Sequence, residues 1–128
     1  MSYYFAKTLP VPFDQAVART IEALKAEQFG LVSEIDIAAT LKAKIGVDFH
    51  PYRILGACNP TLAHRALSAE DKIGTMLPCN VIVQELAPGR TEVAAVDPVA
   101  SMQAVQNPGL ADVAAAVRAR LQKVIDSL

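Results

Sequence analysis

From Leu110 to Leu128 apolar side chains return at helical spacing: Leu110, Val113, Ala114, Val117, Leu121, Val124 and Leu128 share one stripe. A helix with such a stripe draws most of its stability from laying that face on something apolar. Asn107-Pro108 marks its start, a capping side chain followed by a proline whose missing N–H the first turn does not need. What the stripe covers must therefore come from the residues before it, and these read as a sheet.

Tyr3 to Leu9 is rich in aromatic and β-prone residues and stops at Pro10, which predicts a strand. Pro12 opens a helix carrying Phe13, Val17, Thr20, Ile21 and Leu24 at helical spacing, with Gly30 expected as its left-handed cap. Leu31 to Ile35 predicts a second strand. Asp36 then caps a short helix with Ile37, Leu41 and Ile45 on one face and Gly46 as its stop. Tyr52 to Ala57 is a third strand, and Asn59-Pro60 starts a connecting helix with an apolar stripe of Leu62, Ala63, Ala66 and Leu67. Val81 to Leu86 and Thr91 to Val96 form a hairpin about Pro88-Gly89, and Asp97-Pro98 ends it.

A sheet covered by the first and last helices buries both stripes most simply. Around Val81-Ile82-Val83 neither strand face is clearly polar. Both faces of that strand are therefore expected to be covered, by helices on two sides or by a partner subunit.

The chain's 128 residues suit one domain, spanning residues 1–128. Its hydrophobic share of 52% and charged share of 20% depart from the globular average in the direction that favours extra buried surface, so a homodimer is expected. Twelve basic and thirteen acidic residues are spread without a basic run, which excludes a phosphate-backbone footprint and hence nucleic acid. No apolar run approaches the length of a membrane helix and the first residues have no leader pattern, so no membrane partner and a cytoplasmic location are expected. Two cysteines, Cys58 and Cys79, cannot make a disulfide framework of the secreted kind.

Several long strings are distinctive: Phe29-Gly30-Leu31 leading to Glu34-Ile35-Asp36, Tyr52-Arg53-Ile54-Leu55-Gly56-Ala57-Cys58-Asn59-Pro60, Leu62-Ala63-His64-Arg65-Ala66-Leu67, and Leu77-Pro78-Cys79-Asn80-Val81. On these the chain resembles the domain-of-unknown-function family numbered 302 over essentially its whole length. The resemblance implies an α+β fold, a β-α-β4-α antiparallel sheet gripped by an N-terminal and a long C-terminal helix, in the TATA-box-binding-protein-like class. Short extra helices in the connections complete that order. The resemblance implies no reaction and assigns no functional residue, and a shared fold class says nothing about DNA.

Chemistry is left to a few side chains. Cys58 precedes the Asn59 cap at the mouth of a helix, where free amides and the helix dipole favour a thiolate. If the third and fourth strands are antiparallel neighbours, Cys79 lies at the same sheet edge. Two such thiols can form a redox pair, or bind a soft metal with His64, although their spacing matches no zinc signature. They can equally be small packed residues, as most buried cysteines are. Arg65 and Glu34 can pair with each other or bind an anion, Arg53 can face the sheet's open side and meet an acidic ligand, and each can be a plain surface charge. Asn80 has no ready explanation in helix capping. No phosphate loop, nucleophile elbow or metalloprotease helix occurs, so whether the chain is an enzyme stays open and no cofactor is indicated.

Three functions compete. In the first, a cleft between sheet and helices binds a small molecule through Tyr52, Arg53, Cys58, Asn59, His64, Cys79 and Asn80. In the second, Cys58 and Cys79 carry thiol redox chemistry or handle a metal. In the third the protein is a structural or interaction homodimer, whose distinctive strings fix turns, caps and an interface.

Overall fold

The computed structural model describes residues 2–128. Five strands, β1 (Tyr4–Leu9), β2 (Gly30–Asp36), β3 (Tyr52–Cys58), β4 (Cys79–Ala87) and β5 (Arg90–Val96), form one sheet in the order β1-β5-β4-β3-β2. Every neighbouring pair is antiparallel. Helices α1 (Phe13–Ala26) and α5 (Ala111–Asp126) lie side by side across this sheet, α1 over β4 and β5 and α5 over β1 and β5. The expected α+β architecture is the observed one. Among the described residues no helix is long and apolar enough to cross a membrane.

The core forms where strand alternation meets the two helix stripes. Val81, Val83, Val93, Ala95 and Leu55 point from the sheet toward the helices and are inaccessible to water. Val113, Val117, Leu121 and Val124 of α5 and Ala16, Val17 and Leu24 of α1 meet them. Each fully buried aliphatic side chain of this kind stabilises by about 1.5–3 kcal/mol. Buried polar groups are satisfied locally: Thr20 Oγ1 donates to the Ala16 carbonyl at 2.7 Å and Thr91 Oγ1 to that of Val11 at 2.9 Å. Arg120 Nη1 donates to the Glu27 carbonyl at 3.2 Å and ties α5 to the end of α1.

Between the core elements stand α2 (Ile37–Ile45), α3 (Pro60–Ala69) and a one-turn α4 (Pro98–Ser101). The Asp36 cap on α2 and its Gly46 stop are as expected: the Asp36 carboxylate accepts from Ala39 N at 2.9 Å, and Gly46 has φ 67°. Yet α2 buries no residue, so its stripe of Ile37, Leu41 and Ile45 is not a core face. After β5, Asp97 starts α4 rather than a plain loop by accepting from Val99 N at 3.0 Å, and its other oxygen accepts from Arg118 Nε at 3.1 Å. Asn107 caps a 3-10 turn at Pro108–Leu110, one step ahead of α5 proper.

Two expectations need correction. Gly30 is not the left-handed cap of α1: the helix ends at Ala26, Gln28 takes the positive φ of 65°, and Gly30 is already the first residue of β2. Phe29 N reaches back to the Leu24 carbonyl at 2.9 Å, so the reversal is complete before the glycine. Nor are there helices on two sides of β4. Both long helices share one face, and the opposite face, with Ile82 half-buried and Asn80 exposed, is left open.

A candidate binding cavity between sheet and helices

At one end of the sheet β3 stops and β4 begins, with Ala57 opposite Cys79 and Gly56 opposite Asn80. The chain leaves β3 through Asn59, whose Oδ1 accepts from Leu62 N at 3.2 Å while its backbone carbonyl accepts from Ala63 N at 2.8 Å. Pro60 occupies the first helical turn, so the three residues Cys58-Asn59-Pro60 set the angle at which α3 departs. A 3-10 turn over Asp71–Met76 and a cis Leu77–Pro78 peptide bring the chain back to Cys79.

Asn107 fixes the far side. Its Nδ2 donates to the Ala69 carbonyl at 2.7 Å and to Glu70 Oε1 at 3.0 Å, while its Oδ1 accepts from Gly109 N at 2.9 Å. One side chain thus holds the end of α3 against the start of α5. Between α3, α5 and the β3–β4 edge lies a cavity of about 360 Å³. Its floor is Ala57 and Cys79, and its walls are Leu62 and Ala66 of α3 and Val113 and Val117 of α5. The exposed Val32 and Leu67 stand at its rim. Among the described residues none that carries a charge lines it.

Cys58 and Cys79 both line this cavity as free thiols, so the expected meeting of the two at one edge is observed. Cys79 is buried, and burial, helped by the neighbouring Cys58, pushes its pKa up from 9.0 to about 11. A group so shifted stays a neutral thiol throughout the physiological range. Nearby, Gly56 leaves no room for a side chain: a Cβ there would meet Ser33 Oγ at 2.1 Å and Pro78 Cγ at 2.8 Å. Ser33 and Pro78 thus close over Gly56 on the face of the sheet that Asn80 shares.

The seven side chains read from the sequence as one site divide between places. Cys58, Asn59 and Cys79 line the cavity. His64 is exposed on α3 outside the lining, so the set Cys58, Cys79 and His64 is not assembled. No group of three or more His, Cys, Asp or Glu suited to a metal ion occurs among the described residues. Tyr52 and Asn80 lie on the open face of the sheet, in a shallow depression of about 370 Å³ shared with Gln84 and Glu92. There His50 Nε2 lies 2.9 Å from Gln84 Oε1, and Gln84 Nε2 donates to Glu92 Oε1 at 2.8 Å.

Arg53 does not face the open side of the sheet: it stands opposite Val83, on the face that carries α1. It reaches Glu34 Oε1 at 3.2 Å and Asp36 Oδ2 at 3.7 Å, and its guanidinium lies 5.3 Å from the centre of the Phe13 ring. Glu34 therefore pairs with Arg53 and not with Arg65. Sequence reading missed Met102, Phe29 and Leu77 as cavity residues, and took Val113, Ala114 and Val117 for filled core. Nothing in an apolar stripe distinguishes a side chain that touches a neighbour from one that borders a hollow.

Residues 5–128 match the sequence profile of the family described as domain of unknown function DUF302. The chain belongs to that family. A crystal structure of an uncharacterised conserved DUF302 protein from Bacillus stearothermophilus superposes with a TM-score of 0.89 at 28% identity, covering 98% of each chain. The fold described above is thus one that a family member shares. Among curated proteins no match is found.

Proposed function

We propose that this DUF302 protein is a small-molecule-binding module whose ligand is neutral and largely apolar, held between the β3–β4 edge, α3 and α5. One observation carries the reading: a cavity of about 360 Å³ opens to solvent, and among the described residues none that carries a charge lines it. That size lies within the range of roughly 300–1,000 Å³ found for small-molecule sites. Apolar surface removed from water by a ligand there would gain roughly 25 cal/mol per Å². An ionised carboxylate or phosphate would have no partner inside and would stay at the mouth. Orientation would fall to the Asn59 side-chain amide and to the thiols of Cys58 and Cys79, weak donors at the floor.

Titration with the neutral dye Nile red, read by fluorescence, tests this directly. Ala66 and Ala114 are buried and border the cavity. Ala66→Leu and Ala114→Leu fill it, and each is expected to weaken dye binding at least tenfold while leaving the far-UV circular dichroism unchanged. Undiminished binding in both folded variants would overturn the reading. Native mass spectrometry of the purified protein supplies the identity of any resident ligand.

A thiol-based role has one observation in its favour, the shared cavity of Cys58 and Cys79. The raised pKa of Cys79 weighs against it, since at pH 7 a thiol with a pKa of about 11 is only about one part in ten thousand thiolate. Alkylation of Cys79 that is fast at pH 7 would return this reading to the front.

A further inference from the structure

We propose that the face of the sheet turned away from α1 and α5 is a homodimer interface, on which a second copy of this chain stacks sheet against sheet. Strand registers place one outward residue of every strand in a continuous row: Ala6 opposite Ala94, Ala94 opposite Ile82, Ile82 opposite Ile54, and Ile54 opposite Ile35. An antiparallel sheet with one face on the core ordinarily alternates apolar-in and polar-out. Here the outward face carries an unbroken apolar row across all five strands. Thr8, Glu92, Gln84 and Tyr52 form a polar row along one side of it. An apolar centre with a polar margin is the anatomy of a protein interface.

Charge selects the occupant. Apart from Arg90 at the hairpin tip, the only ionisable acid or base that the described strands present on this face is Glu92, and its carboxylate already accepts from Gln84. A strongly acidic or basic partner would find only Glu92, the peripheral Arg90 and the His50 ring beside Gln84 to pair with. A second copy meets no such mismatch and almost no like-charge repulsion, and an isologous contact needs only one self-complementary patch. The alternative self-contact, through the exposed edge strand β2, is blunted by the register shift between Leu31 and Ser33 and by the charges of Glu34 and Asp36.

Area agrees with this choice. Five strands spaced by about 4.8 Å, each roughly 20 Å long, give a footprint of about 450 Å² before side-chain relief is added. The accessible surface covered per copy is then of the order of 600–800 Å², close to the roughly 800 Å² per partner of a standard stable interface. Tyr3 and Tyr4, 68% and 45% exposed, stand at one margin of the face with their rings 5.0 Å apart and can close over the partner.

Sedimentation velocity of the full chain from 1 to 100 µM decides the matter. The expected species has twice the chain mass of 13.6 kDa. Ile82→Lys and, on the edge strand, Ala6→Lys are each expected to weaken dimerisation at least a hundredfold and give the single-chain mass with unchanged far-UV circular dichroism. A wild type that stays monomeric at 100 µM overturns the proposal. So does a dimer that persists in Ala6→Lys and in a folded Ile82→Lys, which would move the contact to another surface such as the β2 edge. If Ile82→Lys does not fold, Ala6→Lys alone carries the test.

Discussion

Gly56 shows how a single position can be held by contacts far away in sequence. It stands opposite Ser33 on one side and Asn80 on the other, and a Cβ would meet Ser33 Oγ at 2.1 Å and the Pro78 ring at 2.8 Å. The Ser33 hydroxyl can rotate away but the proline ring cannot. Gly56→Ala is therefore expected to cost about 1–3 kcal/mol in urea unfolding, as overpacking does. Adding Ser33→Gly should recover only part of the loss, because Pro78 remains. Cys79 makes a second residue-scale prediction through its pKa, raised by burial and by Cys58 from 9.0 to about 11. Above pH 9 the unfolded thiol loses its proton while the folded one keeps it, so stability falls as pH rises and the loss levels off above about pH 11. Over that window the shift is worth roughly 2–3 kcal/mol. Cys79→Ala should remove this part of the alkaline slope in denaturant titrations at pH 8, 9, 10 and 11; an unchanged slope would contradict the burial argument. Neither effect was legible in the sequence: Ser33, Gly56 and Pro78 come together only through strand register.

Helices read well from sequence where a cap or stop is chemically explicit, and less well where the backbone has a choice. Asn59-Pro60 and Asp36 behave as their side chains dictate, whereas the reversal after α1 falls on Gln28 although Gly30 was available. The glycine is needed less because Glu27 N and Gln28 N already reach back to the Leu24 and Lys25 carbonyls, at 3.1 and 2.9 Å. What a cap is worth depends on what its helix holds down. Asn59 is buried at the start of α3, whose Leu62 and Ala66 belong to the core, whereas α2 buries nothing. Asn59→Ala should therefore lower global stability by about 1–2 kcal/mol, at the upper end for a lost cap with a buried donor. Asp36→Ala should cost well under that in global unfolding and appear instead as faster hydrogen exchange at the α2 amides, beginning with Ala39. Equal effects on the thermal midpoint would mean that α2 is part of the cooperative core.

At the scale of the whole molecule the sequence carried the layers but not the hollow between them. The stripe of α5 predicts a buried face, which is observed; Val81-Ile82-Val83 predicts a strand covered on both faces, whereas helices cover only one and Ile82 on the other is half-buried. Val113, Ala114 and Val117 would look the same above a filled floor, because the hollow depends on how α3 and α5 stand over the end of the sheet, where Asn107 ties the end of α3 to the start of α5. Ala114→Leu turns that difference into a sign. If the space beside Ala114 is open, the added methylenes bury apolar surface without displacing neighbours, and thermal stability should rise by about 0.5–2 kcal/mol. Were the region close-packed, the same change would cost about 1–3 kcal/mol. A ligand of the proposed kind makes the complementary prediction. At a hundred times its Kd it stabilises the wild type by about 2.7 kcal/mol, a rise in Tm of roughly 8–13 °C for a chain of this size. Ala114→Leu should start above the wild type and then gain almost nothing from the same ligand, because occupant and leucine compete for one volume. Equal ligand-induced shifts in the two proteins would place the bound molecule outside the cavity, whatever its affinity.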